Sequence, residues 1–371
     1  MRLLVCTTEY FPHGAGIANV VYNVVEQLKE MGVECTVCSP TGPDIELGSW
    51  DLIRKTGAGG LLNYWYQVSR RFKENNFDVA WLQNPFIVTR NPFERCLVTM
   101  HSTYYGSSMH GVGNLSFHLY KSIVAHIERY CLNRISPNSY FTGVGQPVCE
   151  ELEKIGIPGD RITYILNGVN TGAFRPLPDK IAVRKRLGIP EDDIVLLSVG
   201  RLTHQKQPLM PVEVFSHLER ELDNTTLCIA GRGELLEEAR ALTERKGLRK
   251  VRFLGYVEDQ DLPDLYACAD YYIMASKYEG GMPPLTLAEA MASGLPCIVS
   301  DIPNLGIVKD ADCGIAVDFA NLPGASADIL EYLKKGPQDH GVNARDCAIR
   351  SLDWKIIAGE YLRLFREICE H

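Results

Sequence analysis

The stretch YYIMASKYEGGMPPLTLAEAMASGLPCIV, residues 271–299, carries one whole repeat of the fold. Tyr271 to Met274 is an apolar run of strand length, and Pro296 to Val299 is another. Between them Gly280-Gly281 and Pro283-Pro284 open a loop, and the prolines stand at the first positions of a helix, where the missing N–H costs nothing. Strand, helix, strand in that order is the unit of a parallel sheet. Glu279 sits at the strand end before the glycine pair, and Glu289 lies one turn from Leu285 on the same helix face. Backbone N–H groups at Leu285 and Thr286, approached through Gly281 and Met282, are expected to face an anion. Capping or solvation accounts for either glutamate singly, but not for the whole constellation.

The same alternation runs outward in both directions. Strands are expected at Leu3 to Thr7, Val33 to Ser39, Val79 to Leu82 and Leu97 to Met100, with a helix from Ile17 to Met31. A turn-rich break follows at Asn167 to Pro178, and the alternation then restarts. It gives strands at Ile194 to Val199, Thr226 to Ala230 and Val251 to Leu254, and a helix at Leu209 to Leu222. The expectation is an α/β chain of two tandem Rossmann-like domains, 1–175 and 176–353, facing each other across an interdomain cleft. An amphipathic closing helix within 354–371 packs back on the first. Ligands of such sheets bind at the carboxyl ends of the strands, so the chemistry belongs in strand-to-helix loops.

Two of those loops carry it besides the first. Tyr10-Phe11-Pro12-His13-Gly14-Ala15-Gly16 lies between the first strand and the first helix, and Gly14 and Gly16 allow close approach of backbone to a phosphate or a sugar. Asn19 replaces the third glycine of a dinucleotide fingerprint and Glu34 stands at the wrong end of its strand, which disfavours NAD(P). Val199-Gly200-Arg201-Leu202-Thr203-His204-Gln205-Lys206 places two cations five residues apart, suited to a diphosphate whose charge grows as a glycosidic bond breaks. His101, after the strand Leu97 to Met100, is a candidate to hydrogen-bond a sugar or manage a proton. The stretch Gly106 to Gly113, with His110, is expected to form an acceptor loop.

Composition narrows the partners. The net charge of −8 excludes nonspecific nucleic-acid binding. It arises after Arg175, since the residues up to that point hold 15 basic and 15 acidic side chains. The twelve cysteines are scattered, and Cys35 and Cys38 fall on one strand, pointing to opposite faces, so thiols in a reducing cytoplasm are expected rather than a metal site. Asp310-Ala311-Asp312 is expected to be a solvated turn. The N-terminus reads as a strand rather than a secretion signal, and no apolar run spans a bilayer. Leu61 to Tyr66 followed by Arg70 to Lys73 mixes aromatic and basic residues. A helix packed on the first sheet is the preferred reading, with peripheral contact at the inner face of the membrane as the alternative.

With these motifs the chain resembles glycosyltransferase family 4, retaining enzymes of the GT-B fold. The pattern S-x-x-E-G followed by E-A-M-A-x-G-x-P is met from Ser276 to Pro296. Gly200-Arg201-Leu202 with Lys206, Ile165 to Asn170 with Phe174-Arg175-Pro176, Val251 to Val257, and Ala269-Asp270 match further signatures in order. The resemblance implies a hexosyltransferase taking a nucleoside-diphosphate sugar, with UDP or GDP as the expected nucleotide and no cofactor. Arg201 and Lys206 would hold the diphosphate, Gly16 would approach it, Glu279 would contact the transferred sugar, Glu289 the ribose, and His101 the reacting centre. It offers no nucleophilic carboxylate in the first domain, which favours front-face displacement. Nine residues separate Glu279 from Glu289 where the family has seven, so a bulged loop is expected. The alternatives are a phosphorylase or hydrolase of the same fold, and a sugar-nucleotide-binding protein without turnover.

Overall fold

The structure, a computed structural model, describes residues 1–73, 76–109 and 115–370. They form two compact units: Met1–Asn167 with Gly280–Met282 and Trp354–His371, and Gly168–Glu279 with Pro283–Asp353. The first contains a sheet of β1 (Arg2–Cys6), β2 (Glu34–Ser39), β3 (Ile45–Glu46), β4 (Val79–Gln83), β5 (Cys96–Met100), β6 (Ser139–Gly143) and β7 (Ile162–Tyr164). Their order is β3-β2-β1-β4-β5-β6-β7, and each pairing is parallel. The second contains β8 (Ile194–Val199), β9 (Thr225–Ala230), β10 (Val251–Gly255), β11 (Tyr271–Met274), β12 (Cys297–Ser300) and β13 (Gly314–Val317), in the order β10-β9-β8-β11-β12-β13, again all parallel.

Helices cross between the strands. Those of the first unit are α1 (Gly16–Glu30), α2 (Trp50–Thr56), α3 (Ala58–Arg71), α4 (Tyr104–Met109), α5 (Leu115–Ile135) and α6 (Gln146–Lys154). The second unit has α7 (Lys180–Leu187), α8 (Leu209–Glu221), α9 (Leu236–Lys246), α10 (Leu262–Cys268), α11 (Leu285–Ala292), α12 (Ile307–Asp310), α13 (Leu322–Lys335) and α14 (His340–Cys347). The closing helix, α15 (Trp354–Glu370), counts with the first unit. Strands covered on both faces read as unbroken apolar runs, and every residue of β4 and β5 is buried. In both sheets the strand order reverses next to the first strand, between β1 and β4 and between β8 and β11. Crossovers leave in opposite directions there, which opens a crevice at the carboxyl ends.

The core of the first unit joins α15 to the sheet. Trp81 on β4 is fully buried, donates from Nε1 to Thr99 Oγ1 at 2.7 Å, and packs its ring 4.8 Å from Tyr361 and 5.7 Å from Phe365. The helix α3 turns Tyr64, Trp65 and Val68 into the core, and Tyr64 Oη donates to Cys38 O at 2.8 Å. Its aromatics are therefore committed to packing, and Tyr66 alone among them is exposed. All twelve cysteines are free. Asp310 ends α12, and exposed Asp312 lies 3.4 Å from His340. Removing the ring of Tyr361 leaves a cavity under Trp81, so Tyr361→Ala should cost about 3–5 kcal/mol in urea unfolding. A loss below about 1 kcal/mol would mean that α15 is not docked on this sheet.

Candidate active site

At the reversal between β8 and β11, two loops are stitched together by backbone before any side chain meets. Lys277 N–H donates to Gln205 O at 2.9 Å, and the Gln205 side chain donates to Tyr278 O at 2.8 Å. The next residue of each loop then forms the site: Lys206 Nζ reaches both oxygens of Glu279, at 2.6 and 2.7 Å. The Lys206 side chain is 19% exposed and that of Glu279 only 5%. A hydrogen-bonded pair this far from water is costly to break from one side, about 3–5 kcal/mol for an orphaned charge. Gln205 thus has a structural task in holding the two loops in register. Arg201 is on the same loop but does not join the pair; it is exposed and pairs with no acid among the described residues. Its carbonyl accepts from Thr203 N–H at 3.0 Å, which turns the chain toward Lys206.

The second loop runs on into α11. Its first ladder bonds are those of Leu287 and Ala288 N–H to Pro284 O, at 2.9 and 3.0 Å, so the amides of Leu285 and Thr286 precede the ladder, as a helix start requires. Glu289 is one turn on and half-buried. Its Oε2 accepts from Tyr266 Oη at 2.9 Å, and the same hydroxyl lies 3.1 Å from Thr286 O. Tyr272 Oη donates to Thr286 Oγ1 at 2.9 Å. Burial pushes the Glu289 carboxyl up to about 8. From sequence Tyr272 was read only as part of a strand, and Tyr266 was not read at all. Their sole signal was the type: a fully buried tyrosine needs a partner for its hydroxyl.

In the first unit Gly14 takes φ +112° and Gly16 begins α1. The amide between them, Ala15 N–H, donates to Glu9 Oε2 at 2.7 Å, so a carboxylate of the protein already sits at this helix start. A Cβ on Gly14 would lie 2.6 Å from that carboxylate. Glu9 went unread in the sequence because it lies on the strand side of the glycines. Gly281 and Met282 count with this unit. Met282 N–H donates to Val144 O at 2.7 Å, and Met282 O accepts from Asn167 N–H at 3.1 Å.

His101 is buried, with Nε2 at 2.8 Å from Gln83 Oε1 and its backbone N–H donating to Asn84 Oδ1 at 2.9 Å. Gln83 and Asn84 end β4, the strand beside β5, and were also missed. With the Gln83 oxygen as acceptor, Nε2 carries the proton and Nδ1 is free to accept. The following residues correct one expectation: Gly106 lies inside α4 rather than in a glycine-rich loop, and residues 110–114, His110 among them, are outside the described residues. Thr103 caps α4 by accepting from Gly106 N–H at 2.8 Å, and is itself bonded to Glu151 at 2.5 Å. Glu128 accepts from Tyr104 and Tyr105 N–H at 2.8 and 3.3 Å, and burial raises its carboxyl to about 8.

Burial lowers the His101 imidazole to about 4, so it is neutral at physiological pH. The unfolded chain binds this proton below about 6.5, whereas the folded chain resists it until about 4. Stability is therefore complete above pH 6.5 and falls as pH drops toward 4, by roughly 3 kcal/mol from this group. Urea titrations at pH 7 and 4.5 should show His101→Gln losing markedly less over that interval than the parent. Equal losses would mean the imidazole is hydrated.

Comparison with known proteins identifies the family and the fold. A family profile described as Glycosyl transferases group 1 matches residues 179–346, and one described as Glycosyltransferase Family 4 matches residues 14–173. The chain belongs to the family 4-like glycosyltransferases and has their two-domain GT-B α/β fold. An uncharacterized glycosyltransferase of Methanocaldococcus jannaschii is 32% identical over 216 residues, 56% of this chain and 55% of that protein. The chain thus spans about half the length of that relative. Among solved structures, WaaG, a glycosyltransferase involved in lipopolysaccharide biosynthesis, superposes with a TM-score of 0.78 at 19% identity, covering 98% of this chain and 99% of that one. Anabaena HepE in complex with UDP-glucose superposes with a TM-score of 0.71 at 16% identity, covering 99% and 100%.

Proposed function

We propose that the chain is a retaining hexosyltransferase that moves a sugar from a nucleoside-diphosphate donor to a hydroxyl acceptor, without a metal ion. The observation that carries this is the Lys206–Glu279 pair at the β8/β11 reversal. An ammonium has three donors, and Glu279 takes two, leaving one for a phosphate oxygen. Lys206 then stands at the junction of diphosphate and sugar, with Glu279 fixing its position. As the bond from the anomeric carbon to the diphosphate oxygen breaks, negative charge grows on the leaving group, where Lys206, Arg201 and the amides of Leu285 and Thr286 lower its energy. Positive charge grows on the sugar, which Glu279 offsets. The acceptor oxygen forms its bond on the face the diphosphate leaves, and its proton passes to the departing phosphate.

The remaining residues hold substrate. Glu289, oriented by Tyr266, takes the ribose hydroxyls. Gly14 and Gly16 let backbone approach the donor, with Gly281 and Met282 in the loop that touches the sugar. His101, being neutral, acts as a hydrogen-bond partner of the sugar and not as an acid. UDP is the favoured nucleotide, because HepE is described with UDP-glucose. Twelve free thiols support a reducing, cytoplasmic setting.

Calorimetric titration with UDP, GDP, ADP and NAD tests the donor site. One nucleoside diphosphate should bind, and Arg201→Ala should abolish the binding; binding of NAD alone would overturn the assignment. Lys206→Ala should lower turnover by roughly 10² to 10³ with the fold intact by circular dichroism. Near-normal turnover would show that the diphosphate is held elsewhere. Glu289→Ala should chiefly weaken donor binding, since ribose contacts are alike in ground and transition states. A pure turnover defect contradicts that role.

A further inference from the structure

Beyond Gln83 and Met100 the pairing of β4 with β5 continues through side chains. Asn84 N–H donates to Thr99 O at 3.0 Å, and in a parallel ladder the carbonyl of the same residue would next take His101 N–H. Asn84 instead turns to φ +45°, which an asparagine tolerates, and its Oδ1 takes that N–H at 2.9 Å. The backbone of His101 is thereby held without Gln83, whose side chain serves the imidazole alone. Gln83 is 1% exposed, and its Oε1 lies 2.8 Å from His101 Nε2. The amide Nε2, equally buried, has no partner among the described residues. The hydroxyl opposite it in the register, that of Thr99, is already bonded to Trp81 Nε1 and Thr142 Oγ1. A buried amide that leaves an N–H without a partner weakens the fold, so packing does not explain a glutamine here.

We propose that Gln83 is a positioning residue: it holds His101 in the tautomer with the proton on Nε2, so that Nδ1 presents a lone pair to the transferred sugar. The hydrogen bond made by one ring nitrogen decides the state of the other. An amide oxygen can only accept, so Nε2 donates and Nδ1 accepts. As positive charge grows on the sugar, a lone pair facing it lowers the energy, whereas the N–H of the other tautomer raises it. The amide does this without a charge of its own. A carboxylate in its place would favour the imidazolium, which has no lone pair to offer. Burial alone accounts for the low pKa of His101, and no charged side chain contributes to it. The part played in sugar transfer rests on the function proposed above, whereas the tautomer does not.

Nitrogen NMR of the whole chain, labelled on histidine, reads the tautomer without any turnover. At pH 7 His101, identified by the signals that vanish in His101→Gln, should carry its proton on Nε2. In Gln83→Leu the orphaned amide N–H is removed while His101 Nε2–H loses its acceptor, so the variant should unfold at the same urea concentration as the parent. Its His101 signals should move to a mixture of tautomers. Its kcat should fall between about tenfold and a hundredfold, with binding of the nucleoside diphosphate unchanged. In Gln83→Glu the imidazole should titrate at higher pH, and the ratio of variant to parent turnover should fall as pH drops from 8 to 6. That variant also serves if Gln83→Leu fails to fold. A parent proton on Nδ1, an unchanged tautomer in Gln83→Leu, or parent-like turnover in both variants would each overturn the proposal. A parent with the Nε2 tautomer and no sugar transfer would sink the proposed function while leaving the relation of Gln83 to His101 in place.

Discussion

Lys206 and Glu279 are 73 residues apart in sequence, and the parallel pairing of β8 with β11 brings them to hydrogen-bonding distance. Parallel strands cannot be joined by tight turns, so each connection must cross a face of the sheet through a helix. Where consecutive crossovers take opposite faces, two neighbouring strand ends are left with loops that diverge, and the crevice between them is lined by backbone not used by either helix. The ion pair occupies this place. Its geometry is set twice over, by the strand register below and by the exchange of hydrogen bonds between Gln205 and the 277–278 backbone beside it. The loop after β11 can therefore accommodate its doubled glycines and prolines without displacing Glu279.

Much of this was legible in the residues. Buried parallel strands announce themselves as apolar runs, and those that carry the site, β8 and β11, were read at their true bounds because apolar side chains dominate them, Ser198 being the one small polar residue in β8. The strands that were missed explain themselves too. The strand β6 is Ser-Tyr-Phe-Thr-Gly, in which Ser139 and Thr142 are buried through hydrogen bonds rather than apolar contact. The strand β3 is two residues long. The helix α5 was not marked because apolar residues on both faces erase the periodicity that marks a helix.

The site separates in the same manner. Residues whose chemistry is local, a cation after a strand or an acid before a glycine pair, were found. Those whose role depends on a partner that only folding brings within reach were not. Tyr266 meets Glu289 from a different helix, Gln83 meets His101 from a neighbouring strand, and Glu9 meets the first glycine loop by a side chain folding back on its own strand end. Tyr266 and Gln83 each answer a polar group that is taken from water, whereas Glu9 meets an exposed amide, and all three relations exist only once the chain is folded.

Glu128 gives the two-faced helix a further property. Its carboxylate points inward on α5, diametrically opposite Leu119, and holds the backbone of Tyr104 and Tyr105. To hide its exposed apolar side chains the helix would have to roll about its own axis. Any such roll swings the carboxyl group away from both amides and leaves the first turn of α4 without that clasp. These two hydrogen bonds set the rotation of the helix about its axis, and the outward display of Leu119, Ile123 and Tyr130 follows from that setting.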